Sequence, residues 1–348
     1  MNKYYIQQAA RVLTPALYYS GVHQLTRPFY SGIGSILMFH RVLPQSNKPR
    51  IHNHQGLEVS PESLEGTINF FKKRNYDFIS LDNLDDYRIE KHTRKRFVVF
   101  TFDDGYVDNY EIAYPILKKH NIPFTVYITT GLPDGHAFLW WYLLEELILE
   151  NKSLELELGG KFKTYNTNSL KEKEIAFNQV RSVLAVADAA ELEIHKANMF
   201  RNYQARSRQL TQFISMSWSQ IEELAKDPLV TIGSHTVNHY PLKSLSLNES
   251  NFELTESKKI IEAHITKEVL HFCYPIGSYS SREVTLTPSC GYRTATTTNM
   301  NNFFGDHFNH SFELPRIMIN SLTTEKLLTL QVNGLLPCVR NFGKRVII

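Results

Sequence analysis

The apolar residues of this chain gather into short runs separated by longer stretches of mixed polarity. Runs at about 35–39, 77–81, 97–102, 123–129, 229–234, 270–274, 292–297 and 313–319 are rich in β-branched and aromatic side chains. Short, near-continuous apolar runs of this composition read as strands buried on both faces. Between them the spacing predicts helices over 61–75 behind an N-cap Ser60, over 109–120, over 218–226 behind Ser217, and over 249–265. Strand and helix alternate, which indicates parallel βα units. The stretch 136–213 breaks that rhythm: 138–148 is helical in pattern, and 169–214 is polar, contains alanine and has neither Gly nor Pro. It reads as a mostly helical insertion that divides an α/β body into 33–135 and 214–325.

Two of the strand-like runs end in reactive side chains. Phe97–Phe102 runs into Asp103, Asp104 and Gly105, and Leu229–Ser234 runs into His235 and, four residues on, His239. Neighbouring residues of an extended chain point to different sides, so two adjacent carboxylates can take two roles, one on a metal and one on a water molecule. Two imidazoles at a spacing of four share a face if a helix or tight turn starts there. Two His and one Asp are a zinc-type ligand set with a position left for water, whose pKa falls toward ~7. An Asp-Asp-Gly alone is commonly a capped turn, and a lone His-x-x-x-His is weaker still. The chemistry is carried by the conjunction of the two motifs.

Thr101-Phe102-Asp103-Asp104-Gly105 and His235-Thr236-Val237-Asn238-His239 resemble the two hallmark motifs of the NodB-type polysaccharide deacetylases, the fourth family of carbohydrate esterases. The resemblance covers about 33–135 and 215–320 and implies an irregular (β/α) barrel with its active site at the carboxyl ends of the strands. It also implies Asp103 as catalytic base, Asp104, His235 and His239 as ligands of a divalent metal with a preference for Zn²⁺, and an acetylated amino-sugar substrate. Phe272-Cys273-Tyr274-Pro275-Ile276-Gly277 stands where the family has its third motif, which places Tyr274 and Pro275 against the substrate. The backbone N–H of Ile276 is then available to an oxyanion, since a main-chain donor does not depend on side-chain identity. The arginine that many members carry just upstream of that proline is missing. Arg316, in Leu314-Pro315-Arg316-Ile317, is the candidate substitute for orienting Asp103. The C-terminal Leu-x-His that supplies the general acid in most members is also missing. Met38-Phe39-His40 resembles the N-terminal segment of the circularly rearranged members, which implies His40 as the acid, across the metal from Asp103. Trp140 and Trp141, at the start of the insertion, are candidates to stack on a pyranose ring.

Composition adds bounds. At 348 residues, 42% hydrophobic and 21% charged, the chain is ordinary for a globular protein. Cys273, Cys290 and Cys338 have no metal-type spacing and suggest no disulfide framework, which fits a reducing compartment. No secretory signal is legible, and no stretch reaches the ~18 uninterrupted apolar residues of a membrane span. The expectation is a cytoplasmic protein, peripheral at the inner membrane face. Residues 1–57 carry Lys3, Arg11, Arg27, Arg41, Lys48 and Arg50 and no acid, and 327–348 carry Arg340, Lys344 and Arg345 and no acid. A basic segment at 1–32 and a basic tail at 326–348 thus flank an acidic body, with apolar residues interleaved, a pattern suited to an anionic membrane surface. The acidic body argues against nucleic acid.

The reading is a metal-dependent hydrolase that removes an N-acetyl or N-formyl group from an amino sugar, lipid- or nucleotide-linked while a surface polysaccharide is assembled. An O-acetyl carbohydrate esterase would use the same residues. A non-catalytic carbohydrate-binding relative would be expected to lose a ligand or the base, and here all four are intact.

Overall fold

The structure is a computed structural model that describes residues 13–46, 49–89, 95–185 and 187–346; Lys3, Arg11 and Lys48 lie outside these. Eight strands build the main sheet: β1 (Gly34–Phe39), β2 (Asp77–Phe78), β3 (Phe97–Phe102), β4 (Phe124–Ile128), β5 (Val230–Ser234), β6 (His271–Cys273), β7 (Thr294–Thr296) and β8 (Ile317–Met318). Their order is β7-β6-β5-β4-β3-β1-β8, with β2 beside the amino-terminal half of β3, and every pair is parallel. Thr296 bridges in parallel to Leu314, just ahead of β8, and the Thr297 N–H donates to the Leu314 carbonyl at 2.9 Å. The two ends of the sheet therefore meet, and the sheet curls into a (β/α) barrel, as the alternation predicts.

β1 and β3 are buried at every position, since both faces of a barrel strand are covered, one by the lumen and one by helices. The helix Pro61–Lys73 starts where Ser60 accepts from the Ser63 N–H, and it turns Leu64, Ile68 and Phe71 inward at i, i+4, i+7. Trp218–Lys226 and Leu247–Ile265 both open on capping boxes, Ser217 with Gln220 and Ser246 with Glu249.

The insertion differs from its expected form. Between the helices Trp140–Glu150, Leu170–Leu184, Ala189–Met199 and Gln204–Ile214 it carries an antiparallel hairpin, Ser153–Leu158 with Lys161–Asn166. The signal is in the sequence: Leu154 and Leu156 alternate inward, and Gly159 and Gly160 take φ of 62° and 70°, the left-handed pair that a two-residue hairpin turn needs. The hairpin and helices close on their own core, including Leu143, Leu147, Phe177 and Val180. The basic carboxyl-terminal segment is no loose tail within its described part. It forms helices Glu325–Val332 and Leu335–Arg340, and the latter packs on a helix at Val22–Tyr30. No helix among the described residues is long and apolar enough to cross a membrane.

Candidate active site

The strands deliver their reactive residues to one end of the barrel. His40 follows β1, Asp103 and Asp104 follow β3, His235 follows β5, and Cys273 ends β6. Asp104 diverges from Asp103 because the chain turns: Asp104 has φ 76° and Gly105 85°. Strand alternation is not the cause. A side chain at Gly105 would meet Ile128 Cδ1 at 3.1 Å, so the turn that aims the two carboxylates apart needs glycine beside them.

Asp104, His235 and His239 converge. His235 Nε2 lies 3.3 Å and His239 Nε2 3.1 Å from Asp104 Oδ1, and the three donor atoms fall within 4.8 Å of one another. His235 Nδ1 donates to the Cys273 carbonyl at 2.7 Å, which fixes the tautomer and leaves the Nε2 lone pair facing Asp104. Asp104 Oδ1 is buried and makes no hydrogen bond. Acceptors crowded at this distance repel unless a cation lies among them. Asp104 is pushed up by burial but held well below the usual carboxylate range by His239 and His235. Burial pulls His235 down, but Cys273 and Asp104 lift it well above its ordinary value. Both directions say that the cluster favours positive charge, and the donor set fits a divalent ion.

The histidines are not on a helix. The Thr236–His239 loop holds them through left-handed residues at Thr236 and His239, φ 69° and 59°. Glu253, buried on the helix Leu247–Ile265, accepts from the N–H groups of Val237 and Asn238 at 2.8 and 2.9 Å and from Asn238 Nδ2 at 2.6 Å. Three bonds to one carboxylate fix a loop that would otherwise have no partner for its donors.

Asp103 is gripped by Arg316. The guanidinium donates Nη1–H to Oδ1 at 2.6 Å and Nη2–H to Oδ2 at 2.7 Å. Its remaining N–H groups go to Thr101 Oγ1 (3.0 Å), Cys273 Sγ (3.0 Å) and the Thr297 carbonyl (2.9 Å). All five donors are paired, which is what makes a fully buried arginine tolerable. Arg316 fills the lumen beneath Asp103, where sequence spacing made it only a candidate. Burial pushes the Asp103 carboxyl up, but the Arg316 charge and hydrogen bonds outweigh it and the net direction is down.

His40 reaches the site, though not across from Asp103 as expected. Its Nε2 is 3.9 Å from Asp103 Oδ2, too long for a hydrogen bond and too short to seat an atom between them. The His40 ring and the Asp103 carboxylate therefore approach a substrate from the same side. Burial lowers His40, against the raising effect of Asp103 and Asp104. The strand end that carries it is pinned: Asn109 Nδ2 donates to the His40 carbonyl at 2.8 Å, and Asp108 accepts from Arg41 Nε at 2.9 Å and from the Val42 N–H at 2.6 Å. Arg41 in turn lies over the rings of Tyr106 and Tyr142, at 4.9 and 5.4 Å. Sequence reading passed over Asp108, Tyr106 and Glu253. Asp108 had a signal, an acid shortly after Asp-Asp-Gly, whereas Glu253 had none.

Trp141 stands 5.5 Å from His239, ring to ring, and its buried Nε1 has no hydrogen-bond partner among the described residues. Trp140 meets Trp141 edge-on at 5.6 Å and packs on the insertion core. Tyr274 turns its side chain into the protein, stacked on Tyr279 at 4.7 Å and bonded to Thr287 at 3.1 Å, so any contact with a substrate falls to its backbone. Pro275 is buried in the same turn, and Ile276 is exposed with φ 58°.

The polysaccharide deacetylase family model matches residues 90–173 and 195–295. YxkH of Bacillus subtilis, whose name assigns it to the polysaccharide deacetylases, is 22% identical over 209 residues, 60% of this chain and 47% of that one. The poly-β-1,6-N-acetyl-D-glucosamine N-deacetylase of Staphylococcus aureus is 37% identical over 86 residues, 25% of this chain and 29% of that one. The match thus spans about half or less of these relatives' length. Among solved structures, the Streptococcus pyogenes deacetylase PplD in complex with acetate superposes with a TM-score of 0.56 at 19% identity, covering 86% of this chain and 97% of that one. IcaB from Ammonifex degensii superposes at 0.52 and 17% identity, covering 86% and 96%. The likeness to these structures is one of fold, and the motif residues that the family model spans are those that converge at the barrel mouth. By sequence and fold the chain belongs to the polysaccharide deacetylase family.

Proposed function

We propose that the protein is a metal-dependent hydrolase that removes an N-acetyl group from an amino sugar of a glycan. The observation that carries this reading is the pairing of a buried His-His-Asp ligand set with a second carboxylate locked by a bidentate arginine. Asp104, His235 and His239 would hold a divalent ion, which would supply a Lewis acid for the acetyl carbonyl and for water. Asp103, kept ionised and oriented by Arg316, takes the proton of the attacking water as its oxygen bonds to the carbonyl carbon. The C–N bond then breaks, and the nitrogen leaves as the amine with a proton delivered by His40, which takes up the proton that Asp103, 3.9 Å away, removed from water. Acetate and the free amino sugar are the products. The backbone N–H of Ile276 is assigned to the oxyanion and Trp141 to the sugar face.

His40 favours an amide over an ester, because an amine leaves only when protonated and an alkoxide needs that help less. Acetate release from N-acetylglucosamine oligomers and from acetylated xylan separates the two substrate classes. Asp103→Asn is expected to keep the metal and lose ~10²–10⁴ in turnover. Release from acetylated xylan alone would assign the protein to the esterases, and an unchanged rate in Asp103→Asn would remove Asp103 as base.

A further inference from the structure

The helix Val22–Tyr30 is mounted with its apolar side outward. It docks on the body through polar and aromatic contacts. Asn333 Nδ2 bonds His23 Nδ1 at 2.8 Å, and Thr26 Oγ1 donates to the Asn333 carbonyl at 3.2 Å. The Tyr30 carbonyl accepts from Asn302 Nδ2 at 3.0 Å, while Arg345 lies over the Tyr30 ring at 5.8 Å. Leu25 and Phe29, a turn apart, remain 73% and 58% exposed. A surface helix ordinarily turns such a pair inward. The carboxyl-terminal segment packed beside it repeats the pattern: Leu335 and Pro337 are buried, whereas Val339 and Phe342 are 67% and 94% exposed. On the same two segments Arg27, Arg340, Lys344 and Arg345 are exposed as well, and the chain has no acid before Glu58 or after Glu325.

We propose that this joined terminal face docks on an anionic lipid surface, with the apolar residues entering the interface and the basic ones meeting the headgroups. Exposed Leu and Phe accompanied by exposed Arg and Lys, on two packed segments whose own sequence carries no acid, are complementary to a negatively charged bilayer. The face lies at the amino-terminal end of the strands, since Tyr30 leads into β1 and Asn302, which bonds Tyr30, precedes the Phe303–Gly34 bridge. It is therefore remote from the catalytic residues, and its loss leaves turnover on a soluble oligomer unchanged.

The test is co-sedimentation of the full chain with vesicles of phosphatidylcholine alone and of phosphatidylcholine mixed with phosphatidylglycerol. Binding is expected to the mixed vesicles and to fall with added salt. Each basic residue removed should weaken it about fivefold, so Arg27→Gln/Arg340→Gln/Lys344→Gln loses about a hundredfold. Phe29→Ser/Phe342→Ser loses at least about tenfold. Binding to neither vesicle, or equal binding to both with no loss in the charge variant, overturns the proposal. A concentration-dependent dimer that Phe29→Ser/Phe342→Ser dissolves, without vesicle binding, overturns it too and gives the face to a second copy.

Discussion

Arg316, just ahead of β8, holds both carboxylate oxygens of Asp103. Its planar fork meets both oxygens of Asp103 and still has donors for Thr101, Cys273 and Thr297. A lysine would keep the charge but not the fork. Arg316→Lys is therefore expected to lower kcat by about a hundredfold, the scale of a small misplacement of a reacting group. The bound metal content is expected to match that of wild type, because Arg316 bonds none of Asp104, His235 and His239. Metal analysis beside single-turnover kinetics checks both; loss of metal would make Arg316 a structural support of the whole site. His40 has its own signature. His40→Ala is expected to slow amide hydrolysis far more than hydrolysis of an activated aryl acetate, whose leaving group needs no proton, and equal losses on the two would move the acid role elsewhere. Asp103, Asp104, His235 and His239 were legible because each motif is local and ends a recognisable strand. Cys273 was not, since its Sγ and carbonyl gain meaning only when β5, β6 and β8 are brought together.

At the scale of elements, the strands could be read because barrel strands are apolar on both faces and stop abruptly at polar turns. All eight runs became strands, and the helices began at the expected Ser60 and Ser217 caps. The hairpin in the insertion was missed because alternation over six residues was outweighed by the helical character around it. The His235–His239 loop was missed in a different way: a spacing of four suggests a helix, but here Glu253 supplies the three acceptor contacts that a helix would have made unnecessary. The helix Leu247–Ile265 thus acts on the ligands at a distance by presenting one carboxylate. Glu253→Gln replaces an acceptor oxygen with an NH₂ facing donors. The expected result is a ~10–100-fold weaker metal affinity with the helix intact. Zinc titration with far-ultraviolet circular dichroism measures the two together. Unchanged affinity would show that the strained loop holds its shape unaided.

At the scale of the molecule, the two ends of the barrel do different work. With the terminal face on lipid, the catalytic mouth looks away from it by at least a strand length, about 20 Å for six residues. That favours a glycan long enough to leave the surface over a sugar on a short lipid link. The amino-terminal end of the barrel also holds a buried histidine that is expected to make the fold sensitive to acid. His307 is 1% exposed, its Nδ1 accepts from the Phe304 N–H at 2.9 Å, and its ring lies 5.3 Å from that of Phe303. Burial lowers its pKa to about 4. Protonation would place a charge among phenylalanines and break the bond to Phe304. The unfolded chain binds that proton near pH 6.5 and the folded chain only near 4, so the stabilisation is complete above pH 6.5 and is lost as pH falls from there toward 4. The full effect is on the order of 3 kcal/mol. His307→Asn keeps an acceptor near the Nδ1 position and removes the titration. Thermal unfolding between pH 7 and about pH 4 should therefore show wild type losing stability more steeply than His307→Asn. Parallel curves would assign the acid loss to another buried group such as His271, whose ring is also lowered by burial and faces Asp82 at 3.0 Å.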